Sequence, residues 1–231
     1  MNVLITGAGK GIGFELCKLF AQLPDCSVFA VSRNIEHLTE LNQSKLLLNE
    51  LNCFKVDLVN DVDVKYFTEN LKLKIQNLDI VIHNAGMLIH KSFQEFTQDD
   101  FTRIFTVNVW GIISLTQKLI ALLKPGSHVV TISSMGGYQG SVKFKGLSLY
   151  SASKGAVAVL TESLAAEYQC EKIAFNSLAL GAVQTEMLST AFPEYNAPLK
   201  PEEMARFIMD FSINAHKYMN GKIIPVSLST P

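Results

Sequence analysis

Short apolar runs alternate with longer amphipathic stretches along the whole chain. The strand-like runs cover residues 3–6, 27–31, 53–56, 80–83, 128–132, 174–180 and 222–226. Between several of them, apolar residues recur at helical spacing, over 11–23, 61–73, 98–123, 150–168 and 201–211. Strand followed by helix, repeated, is the pattern of parallel βαβ units. Runs without polar alternation suit a sheet covered on both faces. Right-handed crossovers then predict an α/β fold, a doubly wound and mostly parallel seven-stranded sheet flanked by helices. Its ligand crevice is expected at the carboxyl ends of the strands. Residues 135–148 and 189–200 read as longer loops on that side. With no linker-like composition and no internal repeat, residues 1–231 read as a single domain.

Composition narrows the partners. The chain is 48% hydrophobic and 18% charged, with a formal net charge of −1. Nothing in that balance draws nucleic acid or an anionic membrane, and neither is expected as a partner. Charges, glycines and polar groups interrupt each apolar stretch, so none is expected to reach membrane-spanning length. The apolar start, Val3-Leu4-Ile5, meets Gly7 with no basic segment before it, unlike a signal peptide. Cys17, Cys26, Cys53 and Cys170 are scattered, with no CxxC, and three fall in segments read as core. Reduced thiols in a cytoplasm are expected, with no metal site.

The first strand runs into Thr6-Gly7-Ala8-Gly9-Lys10-Gly11-Ile12-Gly13, and a helix follows. Glycines there allow a tight turn and close approach to a pyrophosphate, and the helix amino end offers free N–H groups. That placement makes this more than a glycine-rich turn and predicts a dinucleotide site. At the end of the second strand stand Ser32, Arg33 and Asn34, where a carboxylate would select a ribose hydroxyl. Arg33, with Lys10, suits a 2′-phosphate, which predicts NADP(H) over NAD(H). The alternative is that both bases are merely solvated. Asp57 and Leu58 follow the third strand, where Asp57 serves either the adenine amino group or the next turn. Asn84-Ala85-Gly86 ends the fourth strand, a place for the cofactor's ribose or simply a turn.

Tyr150-Ser151-Ala152-Ser153-Lys154 opens a predicted helix, which sets Tyr150 and Lys154 on one face. A nearby ammonium is expected to lower the phenol pKa from about 10, fitting it for acid–base work. Lys154 also suits the nicotinamide ribose. Ser134, at the end of the fifth strand, can hydrogen-bond the reacting oxygen, with Ser133 its competitor for that role.

Taken together, these segments resemble the single-domain short-chain dehydrogenases/reductases, along nearly the full length. TGAGKGIG is similar to the family's TGxxxGxG, HNAG to NNAG, and Tyr150 to Lys154 to YxxxK. The fold the resemblance implies is Rossmann-like. It implies a catalytic tetrad of Asn108, Ser134, Tyr150 and Lys154, with Asn108 supporting a water relay to the lysine. It also implies that Asp57 meets adenine, that Asn84 secures the sheet, and that Val183 and Thr185 touch the nicotinamide carboxamide and phosphate. The sequence departs from the family where PG becomes Leu180-Gly181, where His83 replaces an asparagine, and where Ser227-Leu228-Ser229 replaces DGG. His83 reads as a strand-end residue. The 134–150 spacing is longer than the family's usual one and holds Tyr138, Lys143 and Lys145, the lysines being candidates for greeting an anionic substrate.

The expected activity is hydride transfer between nicotinamide and a small carbonyl or alcohol, by a homodimer or homotetramer packed through helices 98–123 and 150–168. A non-catalytic dinucleotide sensor and a helix-paired scaffold are the rival readings.

Overall fold

The computed structural model describes residues 1–228. The strands are β1 (Asn2–Thr6), β2 (Ser27–Ser32), β3 (Asn52–Lys55), β4 (Leu78–His83), β5 (Leu123–Ser134), β6 (Ala174–Leu180) and β7 (Ile223–Val226). They form one sheet in the order β3-β2-β1-β4-β5-β6-β7, and every pairing is parallel. The winding reverses between β1 and β4, and the crevice opens at that point, above the strands' carboxyl ends.

The helices are α1 (Gly11–Ala21), α2 (Glu36–Gln43), α3 (Asp61–Lys74), α4 (Gln98–Phe105), α5 (Gly111–Leu119), α6 (Ser148–Glu167), α7 (Glu186–Ala191) and α8 (Pro201–Asn214). Alternate residues of each strand face opposite layers. Val3 and Ile5 of β1 pack with Leu16 and Phe20 of α1, Leu38 of α2 and Ile208 of α8. Leu4, between them, packs with Phe67 and Leu71 of α3, Leu115 and Leu119 of α5 and Ala165 of α6. Both faces are therefore dry, which is why the strands read as unbroken apolar runs.

Some boundaries differ from expectation. The short, polar α2 was not anticipated, because only Leu38 in it is fully buried and eight residues carry little periodicity. Residues 98–123 are not one regular helix: a π-helical turn, Thr106–Trp110, separates α4 from α5. The expectation that no apolar stretch reaches spanning length is also corrected. Gln98–Leu122 is long and apolar enough by length and composition alone. Its apolar residues include a face that packs inside the fold, with Ile104, Ile112, Leu115 and Leu119 buried. Of the segment replacing the family's DGG, Ser229 lies outside the described residues.

Candidate active site

The site begins with the glycine turn. Gly7 and Gly11 have φ of +66° and +58°, left-handed values that disfavour side chains. A Cβ on Gly9 would sit 2.7 Å from Ser32 Oγ, and one on Gly13 would strike Asn84 Nδ2 and the Gly7 carbonyl. The turn is bare because neighbouring chain already fills that space. Thr6, which sequence reasoning passed over, is a hub here. Its Oγ accepts from the Asn84 and Ala85 amides, both at 3.1 Å, while Asn84 Nδ2 donates to the Thr6 and Gly7 carbonyls at 3.0 and 3.2 Å. The ends of β1 and β4 are thus locked together, with Asn84 serving the sheet.

One crevice of about 450 Å³ is lined by Gly7, Gly9, Lys10, Gly11 and Ile12, by Ser32 and Arg33, by Asp57 and Leu58, and by Asn84, Ala85 and Gly86. Ser134, Tyr150, Lys154, Gly181, Val183 and Thr185 line it too. Gly13 does not; it packs behind the turn. The stripped glycine cradle and the amino end of α1 fit a dinucleotide pyrophosphate. Arg33 is exposed at the crevice edge. Lys10 pairs with Glu186 at 2.8 Å, both largely exposed, a contact weak enough to be exchanged. Asp57 Oδ1 accepts from the Val59 amide at 3.2 Å, so it caps its turn and also faces the crevice.

At the other end, β5 and α6 bring the chemistry together. Ser134 and Tyr150 share a hydrogen bond. Ser133, its rival, is buried and donates to the Lys154 carbonyl at 3.0 Å, so it ties β5 to α6 instead. The turn Met135–Gly137 presses on α6 so closely that a Cβ on Gly137 would lie 2.5 Å from the Lys154 carbonyl carbon. Lys154 is buried, its Nζ 5.9 Å from the Tyr150 ring centroid and donating to the Ile132 carbonyl at 2.7 Å.

The electrostatics correct one expectation. Burial raises the Tyr150 pKa above its ordinary value, and the Ser134 hydrogen bond only partly offsets this. The same burial pushes Lys154 down to about 8. The amine is aimed at a carbonyl and is costly to charge, so it does not lower the phenol as the spacing suggested.

Asn108 sits in the π turn and is fully buried. Its Oδ1 accepts from the Met87 amide at 2.7 Å, and its Nδ2 donates to the Met87 carbonyl and to Ser153 Oγ, each at 2.9 Å. Ser153 Oγ in turn donates to the Tyr150 carbonyl at 2.7 Å. Asn108 thereby joins the segment after β4 to the first turn of α6, through a serine that only tertiary contact reveals.

Leu180, where the family has proline, extends β6 and pairs with both Ser134 and Val226. Gly181 stays apposed to Ser227, so the turn holds without the proline. Thr185 caps α7, accepting from Leu188 N at 3.3 Å. The unanticipated α7 belongs to a lid pinned by Gln184, which donates to Ser189 Oγ at 2.9 Å and accepts from the Ala197 amide at 2.6 Å. His83 is buried, bonded to Thr116 at 2.9 Å, and held down to about pKa 4 by burial. It lies outside the crevice lining, as a strand-end residue should.

The comparisons with known proteins agree with this architecture. The family described as short chain dehydrogenase matches residues 1–196. The chain belongs to that family of oxidoreductases, whose members use nicotinamide cofactors on CH–OH or C=O carbon. It is 34% identical over 194 residues to an uncharacterized oxidoreductase of Schizosaccharomyces pombe, covering 82% of this chain and 63% of that protein. It is 32% identical to carbonyl reductase [NADPH] 2 of Sus scrofa, covering 89% of this chain and 82% of that one. A short chain dehydrogenase from Burkholderia cenocepacia in complex with NADP superposes with a TM-score of 0.86 at 23% identity, over 97% and 95% of the two chains. A Brucella melitensis 3-ketoacyl-(acyl-carrier-protein) reductase complexed with NADH superposes with a TM-score of 0.85 at 25% identity, over 98% and 96%.

Proposed function

We propose that this protein is an NADP(H)-dependent carbonyl reductase or alcohol dehydrogenase, with cofactor and substrate both taken by this one domain. The observation that carries the reading is the meeting of Ser134, Tyr150 and Lys154 in the same crevice as the glycine cradle. Gly7, Gly9, Gly11, Ile12 and the amino end of α1 would hold the pyrophosphate, with Asp57 and Leu58 beside the adenine. Lys154, Val183 and Thr185 would hold the nicotinamide riboside. The bound nucleotide supplies or accepts the hydride. Ser134 donates to the carbonyl oxygen, and Tyr150 passes its phenolic proton to that oxygen as it becomes the alcohol; in oxidation the proton returns. Asn108 and Ser153 hold the first turn of α6, and so the phenol, in register.

Arg33 and Lys10 favour the 2′-phosphate, and the pig reductase's use of NADPH supports this choice, with NAD(H) the alternative. Arg33→Glu is expected to weaken NADPH binding about 10- to 100-fold and to leave NADH binding within about twofold, as read by fluorescence titration. Equal losses for both nucleotides would remove Arg33 from cofactor selection.

A homodimer or homotetramer is part of the same proposal. Phe101 and Trp110 on the α4–α5 segment and Val159 on α6 are 47%, 49% and 62% exposed, apolar side chains on the helices through which a second copy would pack. Trp110→Glu is expected to shift the mass in sedimentation equilibrium toward monomer. A wild-type monomer at micromolar concentration would end the oligomer reading. A reducing cytoplasm is the proposed setting, in keeping with four free cysteines, two of them buried.

A further inference from the structure

Beyond Ser134 and Tyr150, the crevice changes character. Its outer part is walled by Leu88, Met135, Phe144, Leu147, Leu188 and Phe192. The charged side chains that line the crevice are elsewhere. Lys10, Arg33 and Asp57 belong to the ends of β1, β2 and β3, Lys154 is buried against Ile132, and Glu186 is turned to Lys10. The lysines of the long loop do not supply a cation either. Lys143 donates to the Tyr138 carbonyl and Ser141 Oγ of its own loop, and neither it nor Lys145 lines the crevice.

Three segments close the far wall. The His90 ring meets the Phe192 ring edge-on, with centroids 4.9 Å apart. Gly146, at φ +78°, lies against His90, and a side chain there would strike the imidazole. The Lys91 amide donates to the Gly146 carbonyl at 3.1 Å. The loop after β4, the loop before α6 and the lid therefore meet around one apolar chamber.

We propose that this chamber selects an uncharged, predominantly apolar ketone or secondary alcohol, and rejects the anionic analogue. The proposal rests on the oxidoreductase reading and adds the substrate class. Binding would bury the body of the substrate against aliphatic and aromatic carbon, while its one polar atom is met by Ser134 and Tyr150. A carboxylate on that body would lose its hydration with no cation on the chamber's apolar wall to receive it.

The test compares benzylacetone with its para-carboxylate, which share the ketone and differ in charge. Wild-type protein is expected to reduce benzylacetone with kcat/KM about 100-fold above the carboxylate, and calorimetry is expected to show the same order of binding. Leu188→Arg puts a cation on the wall. It is expected to narrow the ratio by about tenfold or more, with NADPH affinity and melting temperature preserved. Equal kcat/KM for the two ketones, or a ratio unmoved in a folded Leu188→Arg protein, would overturn the proposal. If neither ketone is reduced, the oxidoreductase reading fails. The calorimetric order then still decides the chamber's preference, and binding of neither compound counts against it.

Discussion

Tyr150→Phe is expected to lose at least about 1,000-fold in turnover while NADPH affinity stays within about twofold. The substitution removes one oxygen and leaves the ring that packs in the crevice. Neither Ser134, Lys154 nor His83 is placed to take over its proton transfer. Ser134 is an alcohol with no buried base behind it, the Lys154 amine is directed at the Ile132 carbonyl 2.7 Å away, and His83 is bonded to Thr116 outside the crevice. The loss should therefore fall on kcat, and the tryptophan or nucleotide fluorescence titration should hardly change. Wild-type turnover in a folded Tyr150→Phe protein would refute the mechanism. Loss of NADPH binding along with turnover would instead place Tyr150 among the residues that build the cofactor site.

Lys154→Met is expected to abolish turnover and at the same time to make the nucleotide-free protein more stable at pH 7. Lys154 is 3% exposed, with no carboxylate partner among the described residues, and burial lowers its pKa from 10.5 to about 8. At pH 7 the folded chain must hold that ammonium away from water, whereas the unfolded chain holds it at no cost. The sign follows from linkage. Between about 8 and 10.5 the unfolded state binds more protons than the folded state, so wild-type stability rises with pH through that window. Methionine has similar length and no charge. The variant should gain on the order of 1–3 kcal/mol at pH 7 by urea denaturation, less the lost hydrogen bond to Ile132. That advantage should shrink as pH passes from about 8 to 10.5. A variant less stable than wild type at pH 7, with no pH trend in the difference, would show that Lys154 is paid no electrostatic penalty in its site. A stabilising substitution that kills activity would mark this lysine as retained for chemistry.

Several departures from expectation have identifiable physical causes. The YxxxK spacing put Tyr150 and Lys154 on one helix face, and they are there, yet the spacing also suggested a lowered phenol pKa. The direction is the reverse because desolvation outweighs a cation that is itself hard to keep charged. Asn108 was named from resemblance, but its work depends on a π turn and on Ser153, and neither leaves a periodic trace. Likewise α7 is too short to announce itself by spacing, and Gln184 pins the lid through contacts with Ser189 and Ala197. The apolar stretch 98–122 passes by composition for a membrane span because a core helix and a spanning helix bury similar side chains.

What the amino-acid order determined by itself was the alternation of strand and helix, the bare glycine turn after β1, and the tyrosine and lysine one turn apart on α6. These are local quantities: periodicity, backbone freedom and helical geometry act within a few residues. Tertiary structure alone decided what Ser133 binds instead of the phenol, where Lys10 and Lys154 direct their charge, and which loops wall the outer crevice. Those outcomes depend on groups far apart in the chain arriving in one dry space, where burial and the nearest partner, rather than residue type, set direction and charge.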